Sequence, residues 1–232
     1  AYCCNTARNG RITVNGTVTK FADIKITNND VLCLDGEQII YSKYMYILLN
    51  KPEGYVCAAE DGRYPTVFEL LPKNYLNLGL FTVGRLDMNT TGVLIITNDG
   101  ELSHKLLSPK NKVIKTYRAI TKFPVSEEDI CVASRGMQLD DGETARPAEI
   151  TAVDDHTYDI KVFEGKFHLI KRIFLALHNQ VRELERIDFA GIDCQDLEKG
   201  EWRFLEEQEI NVLKEAVTRQ MPIICVTIMQ NV

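Results

Sequence analysis

Three short segments concentrate the side chains able to do chemistry. The first is residues 84–92, GRLDMNTTG. Glycines bracket it and strand-like sequence lies on each side, so it reads as a loop presenting polar groups from a rigid sheet. Its lone carboxylate, Asp87, sits between apolar Leu86 and Met88. Such a carboxylate can serve a site or can cap the backbone of its own turn, and spacing leaves both open. The second segment is residues 115–118, KTYR. Strand alternation sends Lys115 and Tyr117 to one face, Thr116 and Arg118 to the other. The third is residues 165–174, GKFHLIKRIF, with a helix predicted to start just after Gly165. If Ile170 and Ile173 face a core, Lys171 leaves the helix about 100° from Ile170, at the border of the buried stripe. From there it can reach a buried carboxylate. A solvated basic face is the competing reading of the second and third segments.

Other chemistries lack their residues. There is no GxxxxGK[ST] phosphate loop and no HExxH pair. There is no GxSxG nucleophile elbow. A glycosidase needs a second carboxylate facing Asp87; Glu53, Glu60 and Asp61 are available, but nothing in the spacing selects one. The histidines (His104, His156, His168, His178) show no metal spacing, and His168 and His178 read as the polar side of one helix. Seven scattered cysteines form no CxxC pair, which argues against zinc. They read as small core residues in a reducing cytosol. No apolar run approaches the roughly 18 residues of a membrane span, and no secretory signal opens the chain.

These segments need a frame. With 232 residues, 45% of them hydrophobic, the chain has ordinary globular composition. Residues 1–41 are β- and turn-rich, with Asn15-Gly16 a strong hairpin signal, further turns at Asn29-Asp30 and Asp35-Gly36, and too little core to stand alone. The chain opens at Ala1 inside what reads as an element, which implies truncation. A larger unit begins with a buried strand over residues 44–50. Strands are predicted from residue 81 and over 93–97, 115–121, 148–153 and 158–163, and helices over 101–107, 126–136, 167–179 and 206–218. Residues 223–229 read as an edge strand. The order implies an α+β fold with a mixed, largely antiparallel sheet flanked by helices.

In this order the segments resemble the RsuA-like pseudouridine synthases, which act on ribosomal RNA. Residues 84–92 look like that family's catalytic loop, and residues 115–117 like its tyrosine motif. Residues 164–172 (EGKFHLIKR) resemble its basic motif. Residues 49–54 (LNKPEG), 65–72 (PTVFELLP) and 200–203 (GEWR) are similar to further family patterns. The resemblance spans about residues 44–218. It implies a pseudouridine synthase fold, with residues 44–232 as catalytic domain. Residues 8–41 resemble the second half of the small RNA-binding module named after ribosomal small-subunit protein four, giving a partial module over 1–41 without its first helix. The family usually has His-Gln where this chain has His168-Leu169, and leucine carries no hydrogen bond.

The resemblance implies isomerisation of a uridine to pseudouridine in ribosomal RNA, without cofactor or metal, by a cytoplasmic monomer. The substrate would be ribosomal RNA or a subunit assembly intermediate. Asp87 matches the catalytic aspartate, Tyr117 the tyrosine that packs on the target base, and Lys171 the basic partner of the aspartate. Arg85, Ile170, Arg172, Lys115, Lys166 and Arg11 are the remaining candidates for RNA contact. Residues 90–92, Ser103, Ser108-Pro109 and 115–117 look closer to the small-subunit branch than to the large-subunit branches. The alternatives are a large-subunit target, or a non-catalytic protein of RNA binding and ribosome assembly.

The net charge of −6 seems to argue against RNA. The average hides a pattern. Basic residues outnumber acids in residues 1–29, 101–118 and 161–186, and the rest is strongly acidic. The pattern predicts one basic face converging on Asp87.

Overall fold

A computed structural model describes residues 2–27, 30–39 and 43–218. The chain divides into two compact units, Ala1–Tyr44 and Met45–Val232. The first holds α1 (Tyr2–Arg8) and a sheet ordered β2-β1-β3-β4, from β1 (Ile12–Val14), β2 (Thr17–Thr19), β3 (Leu32–Leu34) and β4 (Glu37–Ile39). Asn15 and Gly16 both have positive φ, 51° and 79°, as do Asp35 and Gly36, so both expected tight turns form. The Asn29-Asp30 turn lies partly outside the described residues. The sequence reading has no helix ahead of the first strand, yet Tyr2–Arg8 is helical. Two turns of helix are too short to show a periodic apolar stripe.

Among the described residues the second unit is built on one sheet of eight strands. In chain order its elements are β5 (Tyr46–Lys51), β6 (Phe81–Thr82), β7 (Thr90–Thr97), α2 (Gly100–Leu107), β8 (Lys115–Thr121), α3 (Glu127–Arg135), the small hairpin β9 (Met137–Gln138) and β10 (Thr144–Ala145), β11 (Glu149–Ala152), β12 (Thr157–Val162), α4 (Leu169–Ala176), β13 (Val181–Phe189), β14 (Trp202–Phe204) and α5 (Glu207–Ala216). The strand order is β11-β12-β8-β13-β7-β5-β14, with β6 also on β7. Among these strands β7 and β13 pair in parallel and the others antiparallel. The mixed, largely antiparallel sheet therefore stands as expected.

Local chemistry sets the helix ends. Asp99 caps α2 by accepting from the Leu102 amide at 3.0 Å. Ser126 and Asp129 form the expected capping box on α3. On one side of the sheet Leu169, Ile170, Ile173 and Phe174 of α4 pack with Ala119, Ile160, Val162 and Leu184. A second cluster joins Ile47, Leu49, Leu94 and Ile96 to Val67, Phe68 and Leu86. Tyr117 touches both clusters, so it stands where the two halves of the core meet.

Three expectations need correction. Thr90, Thr91 and Gly92 belong to strand β7, so the site loop is confined to residues 84–89. Helix α4 starts at Leu169 rather than just after Gly165, because His168 adopts a left-handed φ of 50° that a helix cannot continue. The core reading of cysteine holds for Cys194, while Cys33 and Cys57 are half-buried and Cys131 is exposed on α3. Polarity is a weak guide for so small a side chain. Residues 223–229 and Cys225 lie outside the described residues.

The parallel contact between β7 and β13 is unusually close at Gly92. Its φ is 98°, and a Cβ there would lie 2.2 Å from the Arg186 carbonyl oxygen. Gly92→Ala should cost on the order of 3 kcal/mol through strain and a broken β7–β13 register. Urea unfolding measures this, and a midpoint equal to that of the parent would contradict it.

Candidate active site

The loop between β6 and β7 is tied at several points. The Leu86 side chain is buried in the core, and its amide donates to the Cys57 thiol at 3.4 Å. The Thr90 amide donates to the Asp87 carbonyl at 3.0 Å, closing a tight turn. Beneath the turn lies Lys51, 0% exposed, at the end of β5. Its ammonium donates to the carbonyls of Pro52 (3.0 Å), Met88 (3.2 Å) and Thr90 (2.9 Å). The Gly54 amide also donates to the Met88 carbonyl, at 2.9 Å. The backbone on the C-terminal side of Asp87 is thereby held from below.

Held this way, the Asp87 carboxylate meets side chains of the basic motif. Lys171 Nζ donates to Oδ2 at 2.8 Å and to Asn89 Oδ1 at 2.7 Å. His168 Nε2 lies 3.3 Å from Oδ1. Asp87 thus engages a cation and an imidazole through its two oxygens, and the turn-capping reading fails. Ile170 and Ile173 do face the core, which leaves Lys171 at the border of the stripe as predicted. Tyr117, Ile170, Arg85, Val162 and Leu184 line the cavity at Asp87 with it.

This cavity shares its wall with a groove of about 1080 Å³. That is at the upper end of small-molecule sites. Cations on the groove wall are Arg85, Lys115, Arg146 and Lys166, with the acids Asp61 and Glu164 beside them and Lys166 3.8 Å from both Glu143 and Glu164. Lys115 and Tyr117 share a face, as alternation requires. Lys115 is buried, donates to the Val113 carbonyl at 3.0 Å and sits 5.5 Å from the Phe189 ring. Burial, then the Arg186 guanidinium, lowers its pKa to about 8. Burial lowers Lys51 to about 8 as well, against partly opposing fields from Cys57, Asp87 and Glu53.

Other candidates are placed elsewhere. Arg172 pairs with Asp141 and Glu143 of the β9–β10 hairpin and is absent from the walls of both cavities. Arg11 pairs with Asp35 in the first unit. Within the second unit the basic stretches converge only in part: Lys115 and Lys166 reach the groove and Lys171 reaches Asp87, while others are neutralised. Lys105, Arg118 and Lys161 are paired with Glu101, Asp159 and Glu149. Each acid comes from the next helical turn or the neighbouring strand, proximity that a running charge count does not register. Arg146, outside those stretches, joins the groove instead. His168, read from sequence as a solvated helix residue, faces Asp87. The missed signal was its place beside Lys171 in one motif. Asn89 and Lys51 were also missed; a buried lysine in an apolar strand reads as that strand's solvated end.

Residues 45–176 match the family described as RNA pseudouridylate synthase. The ribosomal small subunit pseudouridine synthase A of Pasteurella multocida is 39% identical over 203 residues, 86% of this chain and 87% of the relative. That of Vibrio vulnificus is 38% identical, covering 88% of this chain and 89% of its own length. A crystal structure of a pseudouridylate synthase superposes with a TM-score of 0.70 at 32% identity, over 90% of this chain and 91% of the other.

The two buried lysines carry a pH signature. Each stays protonated to about pH 8 in the folded chain and to about pH 10.5 when unfolded. Between these values the unfolded chain binds more protons, so this contribution to stability rises with pH. Lys115→Met removes one such penalty. It should be more stable than the parent at pH 7 by on the order of 1–2 kcal/mol, the gap closing as pH approaches 10.5. Urea titrations across that range decide it, and a variant less stable than the parent at pH 7 would contradict the argument.

Proposed function

The chain belongs to the RNA pseudouridylate synthase family, and we propose that it isomerises a uridine of small-subunit ribosomal RNA to pseudouridine with Asp87 as the catalytic group. The observation that carries the reading is the Asp87 carboxylate held 2.8 Å from Lys171 inside a cavity lined by Tyr117. Both relatives named above carry small-subunit names and match over most of their length, which supports the target.

The reaction moves no atoms out of the molecule. The N1–C1′ bond breaks, the uracil turns, C5 bonds to C1′, and the proton on C5 is lost as N1 gains one. It is redox-neutral overall. The uridine must leave its stack to bring C1′ to Asp87. Asp87 then serves as nucleophile at C1′ or as base toward a ribose proton; both routes need the carboxylate at the same place. Lys171 supplies a cation that offsets the cost of a partly buried carboxylate. The Tyr117 ring, fixed between two core clusters, offers a flat face to the base. Arg85, Lys115, Arg146 and Lys166 attract backbone phosphate along the groove, which makes binding salt-dependent. Residues 1–41 act as a further RNA-binding module, to which Arg11 belongs. The reading places the enzyme in the cytoplasm as a monomer, acting on the RNA or on a subunit assembly intermediate. Among the described residues no helix is long and apolar enough to cross a membrane.

Asp87→Ala should abolish pseudouridine formation while leaving affinity for ribosomal RNA within about twofold; full activity in this variant would sink the assignment. Pseudouridine mapping in both ribosomal RNAs of a deletion strain should show loss of a small-subunit site. Loss confined to the large subunit would overturn the target. Lys51→Met leaves the Met88 and Thr90 carbonyls without their ammonium. It should lower kcat by at least about tenfold, even at temperatures where circular dichroism shows the chain folded. Unchanged kcat would deny the loop-holding role.

A further inference from the structure

Phe167 is 70% exposed, and the proposed reaction gives it no part. Isolated exposed apolar side chains are common and need no explanation. Phe167 differs because its position is built. Its ring stacks on His168 with centroids 3.6 Å apart and planes 21° apart. His168 in turn lies 3.3 Å from the Asp87 carboxylate. The Phe167 carbonyl accepts from Arg172 Nη1 at 3.2 Å, and Arg172 is anchored by Asp141 and Glu143. The neighbouring Lys166 is tied to the Thr144 carbonyl at 2.6 Å. A phenyl face on an anchored backbone therefore stands on the groove wall, one residue from the group that touches Asp87, among the cations Arg85, Arg146 and Lys166.

We propose that Phe167 is a stacking platform for a base next to the uridine that enters the site. The proposal rests on the reading above, in which a uridine leaves its stack. Turning that base out strips its neighbours of a stacking partner, and an aromatic ring at the mouth of the site replaces it. One face of Phe167 is occupied by His168, leaving the other for a base. A ring accepts any base by its π-face, so the platform contributes affinity and placement rather than sequence readout. The arrangement also gives Arg172 a role. It does not contact the groove, but it holds the backbone on which the platform stands.

The test uses the full chain with small-subunit ribosomal RNA. Phe167→Ala should weaken RNA binding about tenfold, the larger share of the lost activity falling on KM. Phe167→Trp should restore affinity, and its new indole should be quenched by RNA, read as the difference from the parent with its single Trp202. An abasic nucleotide beside the mapped uridine, on the side that stacks, should erase the difference between parent and Phe167→Ala. Equal RNA affinity of parent and Phe167→Ala would overturn the platform, as would an indole that RNA leaves unquenched. If the parent forms no pseudouridine in either ribosomal RNA, the proposed activity fails separately, and the affinity and quenching measurements still judge the platform.

Discussion

A buried ammonium holds this site together. Lys51 is withdrawn from water at the end of an apolar strand, where an unpartnered charge would be costly. Three backbone carbonyls offset that cost, and two of them, from Met88 and Thr90, lie just beyond Asp87. The same interaction joins β5 to the start of β7 and fixes the end of the site loop. The loop does not rely on side-chain packing alone; a point charge placed by the sheet draws its carbonyls inward and sets where the Asp87 side chain can emerge.

The rest of the site depends on that placement. Gly92 lets β7 approach β13 closely, and Leu184, Glu185 and Arg186 pair with Thr90, Thr91 and Gly92. Helix α4 buries Ile170, Ile173 and Phe174 in the core shared with this sheet. Its burial fixes the angle of Lys171, whose ammonium then spans Asp87 and Asn89. His168 reaches Asp87 because its left-handed backbone turns the chain before the helix begins. The catalytic candidates thus come from three separated stretches of chain, each oriented by a different physical cause: a trapped cation, strand alternation and a buried helical stripe.

Much of this frame was legible in the residues. Alternation put Lys115 and Tyr117 on one face, and the apolar spacing of residues 170–174 placed Lys171 at a border. Ser126 and Asp129 announced a capped helix. The misreadings share a cause. The left-handed turn at His168, the strand identity of residues 90–92 and the burial of Lys51 are imposed by contacts with distant segments. The predicted basic face is incomplete in the second unit for a related reason. Lys161 and Arg118 find acids on neighbouring strands, and only strand register reveals such partners.

The sequence alone determined the sheet class and most of its elements, which follow from periodicity, while the candidate triad of Asp87, Tyr117 and Lys171 came from the family resemblance of three contiguous motifs. Tertiary structure decided the 2.8 Å contact between Asp87 and Lys171, the approach of His168, the diversion of Arg172 to a hairpin and the entry of Arg146 into the groove. Those outcomes depend on which strands lie side by side. A lysine or arginine far along the chain becomes a partner or a stranger according to register, and local sequence does not encode register by itself.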